Sequence, residues 1–312
     1  MIVYIIRRLL YTIPIVIGVL LLTFLLFVVV GGDISQQIAG KNADAQTIAE
    51  IRHEYGFDKP LFWSWDSQFF DHFKKALTFN FGRALDREKI SDKILRGVGP
   101  SLSLTIPMFI GTMIISISLA LFVAFVRGSW IDITLVVICV AGMSIPYLSF
   151  IIFGQYFFAY KEGWFPIMYM PEESMTYSLA LPVLIGIAAG LGSNLRFYRT
   201  VMLDEMRSDY VRTAFAKGLS TSKVLFKHVL KNAMIPIITS VVLSIPFLFL
   251  GSLLLERFFG IPGLGSLMIE AVASRDFFII NAMTFIFALL IAVFTLLTDI
   301  CYAWADPRIK FE

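Results

Sequence analysis

Long uncharged runs alternate with clusters of charged residues along the chain. Six of these runs are long enough for a helix to cross a bilayer, which needs roughly 20 apolar residues. They lie at 9–30, 98–126, 133–160, 175–195, 233–255 and 277–298, and none contains Asp, Glu, Lys, Arg or His. Since a helix satisfies its own backbone groups in lipid, the pattern predicts an all-α polytopic membrane protein with about six transmembrane helices.

Composition changes this picture little, except by excluding other classes. Only 16% of the residues are charged, against about 25% in soluble domains. The net charge of +3 is small and is not gathered on one aromatic-rich face, so nucleic-acid binding has no support. Cys139 and Cys301 lie in apolar runs, where their spacing indicates neither a disulfide framework nor a metal site.

The first run also resembles a signal peptide, because Arg7 and Arg8 precede it. Its apolar stretch exceeds the about 7–15 residues of a signal sequence, and no small-residue cleavage site follows it. We therefore expect a membrane anchor whose first residues, 1–10, lie along the membrane surface.

Basic residues in short loops predict the orientation. The segment 196–232 carries eight Arg and Lys residues against three acidic ones, which places it in the cytoplasm. The loop 161–174 has one basic and three acidic residues, and the loop after the fifth run begins with Glu256, so both are expected outside. Both termini are then cytoplasmic.

The polar stretch 31–97 is predicted to be an external (periplasmic) subdomain. Two helices are expected in it, at 47–55 before Gly56 and at 60–77. They cover the mouth of the bundle or, alternatively, form a packing cap without substrate contact. The predicted division is 1–30, interfacial segment and first helix; 31–97, external subdomain; 98–304, transmembrane core with the cytoplasmic loop 196–232; and 305–312, cytoplasmic tail.

The connection between the fourth and fifth runs is the most informative segment. Its first half is predicted to be a short helix that begins near Asp209, stops at Gly218 and shows Thr213, Ala214 and Ala216 to a partner. Its second half, 223–236, is a basic amphipathic helix leading into the fifth run, so that a push on the loop would tilt that helix as a lever. The alternative is an ordinary basic cytoplasmic loop.

At these residues the chain resembles the permease subunits of binding-protein-dependent ATP-binding-cassette (ABC) importers, in the peptide/nickel branch. Further matching stretches run over nearly the whole chain. Segments 251–256 and 306–312 are especially similar to the group that handles oligopeptides and microcin C. The other matching stretches are Arg7-Arg8-Leu-Leu, Tyr55-Gly-Phe-Asp-Lys-Pro-Leu61, Phe79-Asn-Phe-Gly82, Phe259-Gly-Ile-Pro-Gly-Leu-Gly265 and Asp306-Pro-Arg308.

The resemblance implies a type I ABC importer permease fold in the bacterial inner membrane. It also implies that the connector is the coupling helix that sits in a groove of the ATPase subunit. The superfamily motif begins Glu-Ala-Ala, whereas this chain has Arg212-Thr213-Ala214, so the glutamate is missing. The residues that match the coupling segment are Asp209, Tyr210, Val211, Arg212, Thr213, Ala214, Ala216, Lys217, Gly218 and Leu219.

The implied partners are a homologous second permease in a heterodimer, two cytoplasmic ATP-binding subunits and an external solute-binding protein. ATP and Mg²⁺ belong to the ATPase subunits, and this chain is expected to bind no cofactor or metal. The implied substrate is an oligopeptide, dipeptide or microcin-like peptide. Nickel or a nickel chelate is the alternative, which the absence of Cys/His clusters along the runs disfavours.

Two similar segments suggest a pathway. Met143-Ser-Ile-Pro-Tyr147 and Leu243-Ser-Ile-Pro-Phe247 each place a hydroxyl beside a proline that removes a helical hydrogen bond. A gate built from Met143, Ser144, Pro146, Ser244 and Pro246 is one hypothesis. Packing kinks, with each serine bonded to its own backbone, are the other.

The glycine-rich turn after the fifth run is a further candidate site. Gly260, Pro262, Gly263 and Gly265 are predicted to form an external docking turn for the partner permease or the binding protein. A tight turn before the helix that contains Glu270 is the alternative.

Two other functional classes find little support. The chain has no Gly-x-x-x-x-Gly-Lys-Ser/Thr motif, and His53, His72 and His228 are single and far apart, so an enzyme is not expected. An ion-coupled secondary carrier usually keeps ionisable groups inside the membrane, and the six runs contain none. Energy is therefore expected to enter through the cytoplasmic connector.

Overall fold

The computed structural model describes residues 2–40 and 43–305. Within these ranges the chain folds into fourteen α-helices and three π-helical segments, with one isolated bridge between Arg83 and Lys89. The predicted tail and the Asp306-Pro-Arg308 motif lie outside the described residues, apart from Ala305. The α-helices are α1 Ile2–Phe24, α2 Ser35–Ala39, α3 Ala45–Tyr55, α4 Gln68–Leu77, α5 Ile90–Phe125, α6 Trp130–Ser144, α7 Tyr147–Gly154, α8 Pro171–Met206, α9 Asp209–Ala216, α10 Thr221–Val224, α11 Leu230–Leu250, α12 Leu253–Phe259, α13 Leu264–Ser274 and α14 Phe277–Ala305; the π-helical segments are Leu25–Val30, Gln155–Lys161 and Leu225–Val229.

Among the described residues, five helices are long and apolar enough to cross a membrane. A sixth results if α6, α7 and the π segment after it form one span. The all-α prediction with about six transmembrane helices is therefore confirmed. The five are Leu10–Val30, Ile90–Phe125, Ser174–Met206, Thr221–Phe259 and Phe277–Thr298.

The predicted third span is sharply broken. The two helical halves, Trp130–Ser144 and Tyr147–Lys161, are bent by 93°. Ile145 is extended (φ −83°, ψ 125°), because the ring of Pro146 disfavours the helical conformation of the residue before it. The expected continuous helix at 133–160 is thus two helices joined at Ile145 and Pro146.

The long helices extend past the apolar runs. α5 begins at Ile90 rather than near residue 98, and α8 continues to Met206 rather than ending near residue 195. Their ends follow local signals instead of the membrane boundary: α8, for example, stops just before Ser208, which is extended (φ −69°, ψ 147°) and precedes α9. Membrane thickness sets the minimum length of a spanning helix, but the helix can continue beyond the membrane.

One compact unit contains residues up to Val98 together with Leu267–Leu296. In it, α4 packs on α1 and α14 through Leu20, Ala76 and Phe285, and the ring of Phe24 makes edge contacts with Phe62 and Phe69. α3 runs as predicted to Gly56, which adopts φ +77°. α4 begins only at Gln68, because Ser67 caps it by accepting a bond from the Phe70 amide.

The second compact unit contains Gly99–Ser266 and residues 297–305. Its helices approach closely where glycine faces a branched side chain. A Cβ atom on Gly154 would lie 2.6 Å from Ile185 Cδ1, and one on Gly111 would lie 2.6 Å from Ile187 Cδ1. Small residues at such positions allow the tight helix packing that stabilises proteins in lipid.

Candidate functional site

The predicted coupling segment is a short helix with well-defined ends. α9 begins at Asp209, as expected, and the amides of Val211 and Arg212 in its first turn donate to the Ser208 carbonyl. It ends at Ala216, and Gly218, two residues later, takes φ +75°. The Leu219 amide then donates to the Ala214 carbonyl at 3.3 Å, which closes the last turn in the manner of a glycine-terminated helix.

The two faces of α9 have different environments. Val211 and Ala214 are buried, with 1% and 4% of their surface exposed, respectively. Asp209, Arg212 and Thr213 are exposed, as are Tyr210, Ala216, Lys217 and Gly218. The expectation that Ala214 faces a partner is therefore wrong, because its methyl group packs into its own chain. Thr213 and Ala216 lie on the free face.

The buried face of α9 belongs to an apolar cluster that we call the coupling core. It joins α9 to α5, to α8 and to the helix that continues into the fifth span. Because protein interiors are close-packed and deform little, a displacement of α9 moves these helices as well. The coupling core contains Ala120, Leu121, Ala124, Leu195, Tyr198, Met202, Val211, Ala214, Val224, Leu225, Val229, Ala233 and Ile237.

The predicted lever helix is present and begins at Thr221. α10, the π segment Leu225–Val229 and α11 follow one another without a break to Leu250. The buried residues Val229, Ala233 and Ile237 recur every fourth position, which places them on one helix face. That face meets the coupling core, so α9 and the fifth span share one set of packing contacts.

An ion pair adds α6 to the same group of helices. Arg199 on α8 donates from Nε to Asp132 Oδ1 at 2.8 Å and from Nη2 to Oδ2 at 3.0 Å. Asp132 is 4% exposed and also accepts from the Gly128 amide at 3.1 Å. Such a two-pronged pair fixes both position and angle. It ties the start of α6 to the part of α8 that carries the coupling core.

Sequence reasoning overlooked two residues of this region. Arg199 was counted only as one of several basic loop residues, although Asp132, the acid directly before the third run, offered a partner. Phe215 was left out of the coupling segment, yet it lies on α9 with 41% of its surface exposed. An exposed aromatic residue amid polar neighbours is the composition expected of a contact anchor.

The two Ser-Ile-Pro segments differ in structure. Pro146 stands at the α6–α7 break and is exposed, and Met143 and Ser144 are exposed beside it. Pro246 is buried inside α11, which continues to Leu250. The first proline therefore separates two helices, whereas the second lies within a continuous one.

Both serine hydroxyls of these segments bond to their own helix. Ser144 Oγ donates to the Val140 carbonyl at 3.0 Å, and Ser244 Oγ donates to the Ser240 carbonyl at 2.7 Å. This geometry is the one that the packing alternative describes. Met143, Ser144, Pro146, Ser244 and Pro246 remain a predicted pathway.

The glycine-rich turn has an exposed and a buried part. Gly260, with φ +68°, and Pro262 are exposed, whereas Gly263 and Gly265 are buried. The buried glycines contact the carboxylate of Glu256, which is itself completely buried. Glu256 was expected to open the loop after the fifth run, and in the structure it lies on the short helix α12, which follows the end of α11 at Leu250.

Comparison with known proteins identifies the transport system to which these features belong. The family described as "Binding-protein-dependent transport system inner membrane component" matches residues 116–311. The chain belongs to this family. A second family, described as the N-terminal part of the same membrane component, matches residues 1–86 of this permease.

Curated relatives of the permease match over almost its whole length. The "Glutathione transport system permease protein GsiC" of Shigella flexneri serotype 5b (strain 8401) is 35% identical over 310 residues, which are 99% of each chain. The proteins of the same name from Escherichia coli (strain K12) and Salmonella choleraesuis (strain SC-B67) are 34% identical over 310 residues, again 99% of each chain.

The chain is therefore a multi-pass inner-membrane permease of a binding-protein-dependent ABC importer. The resemblance drawn from the coupling segment and the dispersed motifs is confirmed. As a transport subunit of this family, the permease works with a solute-binding protein and ATPase subunits. This membership sets the ion-coupled secondary carrier aside.

Proposed function

We propose that this permease forms half of a translocation pathway for short peptides in the oligopeptide/dipeptide class, delivered by an external solute-binding protein. The relatives are named as glutathione permeases, and glutathione is itself a small peptide. A microcin-like peptide belongs to the same chemical class. Nickel or a nickel chelate is the alternative substrate.

The proposal includes a complete complex. A homologous second permease forms the other half of the pathway in a heterodimer, and two cytoplasmic ATPase subunits bind ATP and Mg²⁺. This chain binds no cofactor of its own. The connector 196–232 and both termini lie in the cytoplasm, as the basic residues of that connector predict.

One observation carries the proposal: a helix with an exposed, mostly polar face is attached by its other face to three long helices. The free face of α9 offers Arg212, Thr213, Ala216 and Lys217, together with the apolar ring of Phe215. Its buried face is part of the coupling core. A groove on an ATPase subunit that grips the free face would thus move α5, α8 and α11 together.

Replacement of Ala216 by Trp tests this role. Ala216 is exposed, so the bulky ring leaves the fold intact but prevents close approach of a partner. We expect transport and substrate-stimulated ATP hydrolysis of the reconstituted complex to fall at least about tenfold, since loss of a central contact costs more than about 1 kcal/mol. The matched control is Ala49→Trp on α3, another exposed helical alanine.

Two results would argue against this coupling role. Undiminished transport by a complex that carries Ala216→Trp would remove α9 from the coupling path. Equal losses in the Ala216→Trp and Ala49→Trp complexes would show a general effect of the tryptophan.

The substrate class needs a separate experiment. The solute-binding protein of this importer is purified under native conditions, and its bound ligand is identified by mass spectrometry. A peptide of two or more residues, glutathione included, supports the proposal. A nickel chelate would replace it with the alternative.

A further inference from the structure

The helix α4 and the chain on either side of it lie against the two long apolar helices of the first compact unit. At the start of α4, the ring of Phe69 lies 5.2 Å from that of Phe24 on α1. Just after α4, the rings of Phe79 and Phe81 lie 6.4 Å and 6.2 Å from that of Phe285 on α14. The segment therefore runs from the level of Phe24 on one helix to the level of Phe285 on the other.

These contacts lie inside the apolar spans rather than beyond their ends. The candidate spans Leu10–Val30 and Phe277–Thr298 have 21 and 22 residues, which is about 30 Å of helix and matches the thickness of the hydrocarbon core. Phe24 lies about 9 Å from the nearer end of its span, and Phe285 lies about 12 Å from the nearer end of its own. A segment that contacts both residues is at the depth of one lipid leaflet.

The turn that follows α4 satisfies its own backbone amides. Three successive amides donate to carbonyl groups of the last turn of α4, and a hydroxyl group donates to one of the same carbonyls. Irregular backbone can lie at membrane depth only where its polar groups are bonded within the protein, and these amides meet that requirement. The bonds are Thr78 N to Lys74 O at 3.0 Å, Phe79 N to Ala76 O at 3.1 Å, Asn80 N to Lys75 O at 2.9 Å and Thr78 Oγ1 to Lys74 O at 2.7 Å.

The exposed surface of this segment is apolar at its tip and basic above the tip. Leu77 and Phe79 leave about half of their surface exposed, 52% and 50%, and Lys74 and Lys75 are exposed as well. Side chains on a helix lean toward its N-terminus, which on α4 is the end nearer the membrane surface. The two ammonium groups are therefore directed toward the lipid headgroups, as long lysine side chains commonly are at a membrane boundary.

Two exposed tryptophans stand at the upper end of the segment. Trp63 is fully exposed and Trp65 is 84% exposed. They follow Phe62, whose ring lies 5.1 Å from that of Phe24. Trp63 adopts φ +69°, which is a strained conformation for a bulky residue. Tryptophan is enriched where hydrocarbon meets the headgroups, so the position of both rings agrees with a membrane boundary at this level.

A lipid surface accounts for this pattern better than a protein partner does. A soluble binding protein does not enter hydrocarbon, and lysine is depleted from protein interfaces. Among the residues that the structure describes, neither Lys74 nor Lys75 has an acidic group within ion-pair distance. Phosphate groups of phospholipids supply the complementary charge at the level to which these side chains reach.

We propose that the segment 62–81 enters the outer leaflet of the bilayer and binds phospholipid. Its tip, with Leu77 and Phe79, lies among the acyl chains, and Lys74 and Lys75 bind the lipid phosphate groups. The inference rests on the proposed function for the choice of leaflet, because the cytoplasmic termini of that proposal place the chain between the first and second spans outside.

The depth of the tip is measured with a fluorophore on Leu77→Cys, in a chain whose Cys139 and Cys301 are replaced by Ser. The complete importer is placed in nanodiscs, and quenching by iodide in the water is compared with quenching by nitroxides on the lipid acyl chains. The control is Ala49→Cys, an exposed position on α3, which ends beside Phe278 at the start of α14. We expect iodide to quench the label at position 77 at least about tenfold less than the control label, because an ion enters hydrocarbon only at a high cost in free energy. The acyl-chain nitroxide should quench the label at position 77 and spare the control.

Charge reversal tests the contacts with phosphate. Lys74→Glu and Lys75→Glu each place a carboxylate where a phosphate group is expected. Iodide should then quench the label on Leu77→Cys at least about threefold more, since each basic residue near a lipid surface contributes about 1 kcal/mol of attraction. The matched control is Lys161→Glu, an exposed lysine of the second unit, which should leave the quenching unchanged. Unchanged quenching in both α4 variants would contradict the phosphate contacts.

Two results would overturn the insertion itself. Equal iodide quenching at positions 77 and 49 would place the tip in water. A label at position 77 that neither quencher reaches would show that protein covers the segment, and the second permease would replace lipid as its partner.

The orientation is tested separately from the depth. A membrane-impermeant thiol reagent should label Ala49→Cys in right-side-out vesicles and spare it in inside-out vesicles. Labelling in inside-out vesicles alone would contradict the proposed function, whereas the quenching result would still decide whether the segment lies in lipid.

Discussion

The ion pair between Asp132 and Arg199 should be essential for the rigidity of the helices around the coupling core. We consider the substitution Arg199→Ala, which leaves the buried carboxylate with the Gly128 amide as its remaining partner among the bonds described above. Breaking a buried ion pair by removing one partner costs about 3–5 kcal/mol. Because Arg199 keeps about a quarter of its side chain exposed, 26%, we expect the lower end, about 3 kcal/mol.

The assay has a thermodynamic and a functional part. A loss of about 3 kcal/mol lowers the midpoint of thermal unfolding by about 5 °C in a chain of this size. The number of substrate molecules transported per ATP hydrolysed should also fall, since α6 no longer follows α8. The reversed pair Asp132→Arg with Arg199→Asp should recover part of both losses, whereas each single reversal should be worse than Arg199→Ala.

Two results would refute this reasoning. An unfolding midpoint within about 2 °C of wild type for Arg199→Ala would show that the pair contributes little. Additive losses in the doubly reversed variant would show that the two side chains do not interact.

Two further predictions concern other parts of the chain. Burial and the charge of nearby Lys75 lower the pKa of His72 to about 4; since the unfolded value is about 6.5, protonation favours the unfolded state, and about 2 kcal/mol of stability should be lost between pH 7 and pH 5. Thermal unfolding in detergent should show this loss in wild type and in the control His53→Gln, and a smaller loss in His72→Gln. The same dependence of the unfolding midpoint on pH in all three proteins would contradict the prediction. Ala214→Leu should overpack the coupling core, destabilise the chain by about 1–3 kcal/mol and lower its unfolding midpoint. Ala216→Leu, on the exposed face, should leave the midpoint unchanged. A lower midpoint for Ala216→Leu than for Ala214→Leu would show that the two faces of α9 are assigned the wrong way round.

The sequence predicted those features of the fold that depend on local signals. Uninterrupted apolar runs mark a membrane-spanning helix without reference to the rest of the chain. The ends of α9 were also predictable, because Asp209 and Gly218 act within one turn of the helix they delimit. The phase of α9 was not, since an eight-residue helix with Ala on both sides does not reveal which face is buried. Only its packing on α8 and α11 decides that Ala214 points inward.

The features that the sequence did not predict depend on distant partners. Asp132 and Arg199 are separated by 67 positions, and Ser101 and Glu256 by 155, so no local pattern links them. Glu256 stands at the edge of an apolar run, where a loop residue and a buried carboxylate have the same sequence signature. Its donors are mostly backbone amides, which any residue supplies.

Identical short segments can also fold differently. Ser-Ile-Pro at Pro146 ends a helix, and Ser-Ile-Pro at Pro246 lies within one. The loss of one amide weakens a helix in both places. Pro246 is buried against neighbouring side chains and Pro146 is exposed, so tertiary packing, which the segment itself does not encode, decides between a continuous and a broken helix.

The central claim is that an ATPase subunit grips the free face of α9. The most direct test places a photo-crosslinking residue at Ala216 in the assembled complex, with the same residue at Ala49 as the control. We predict a covalent adduct with the ATPase subunit from position 216 and none from position 49. An adduct of position 216 with the external solute-binding protein, or its labelling by a membrane-impermeant reagent from outside, would contradict the account.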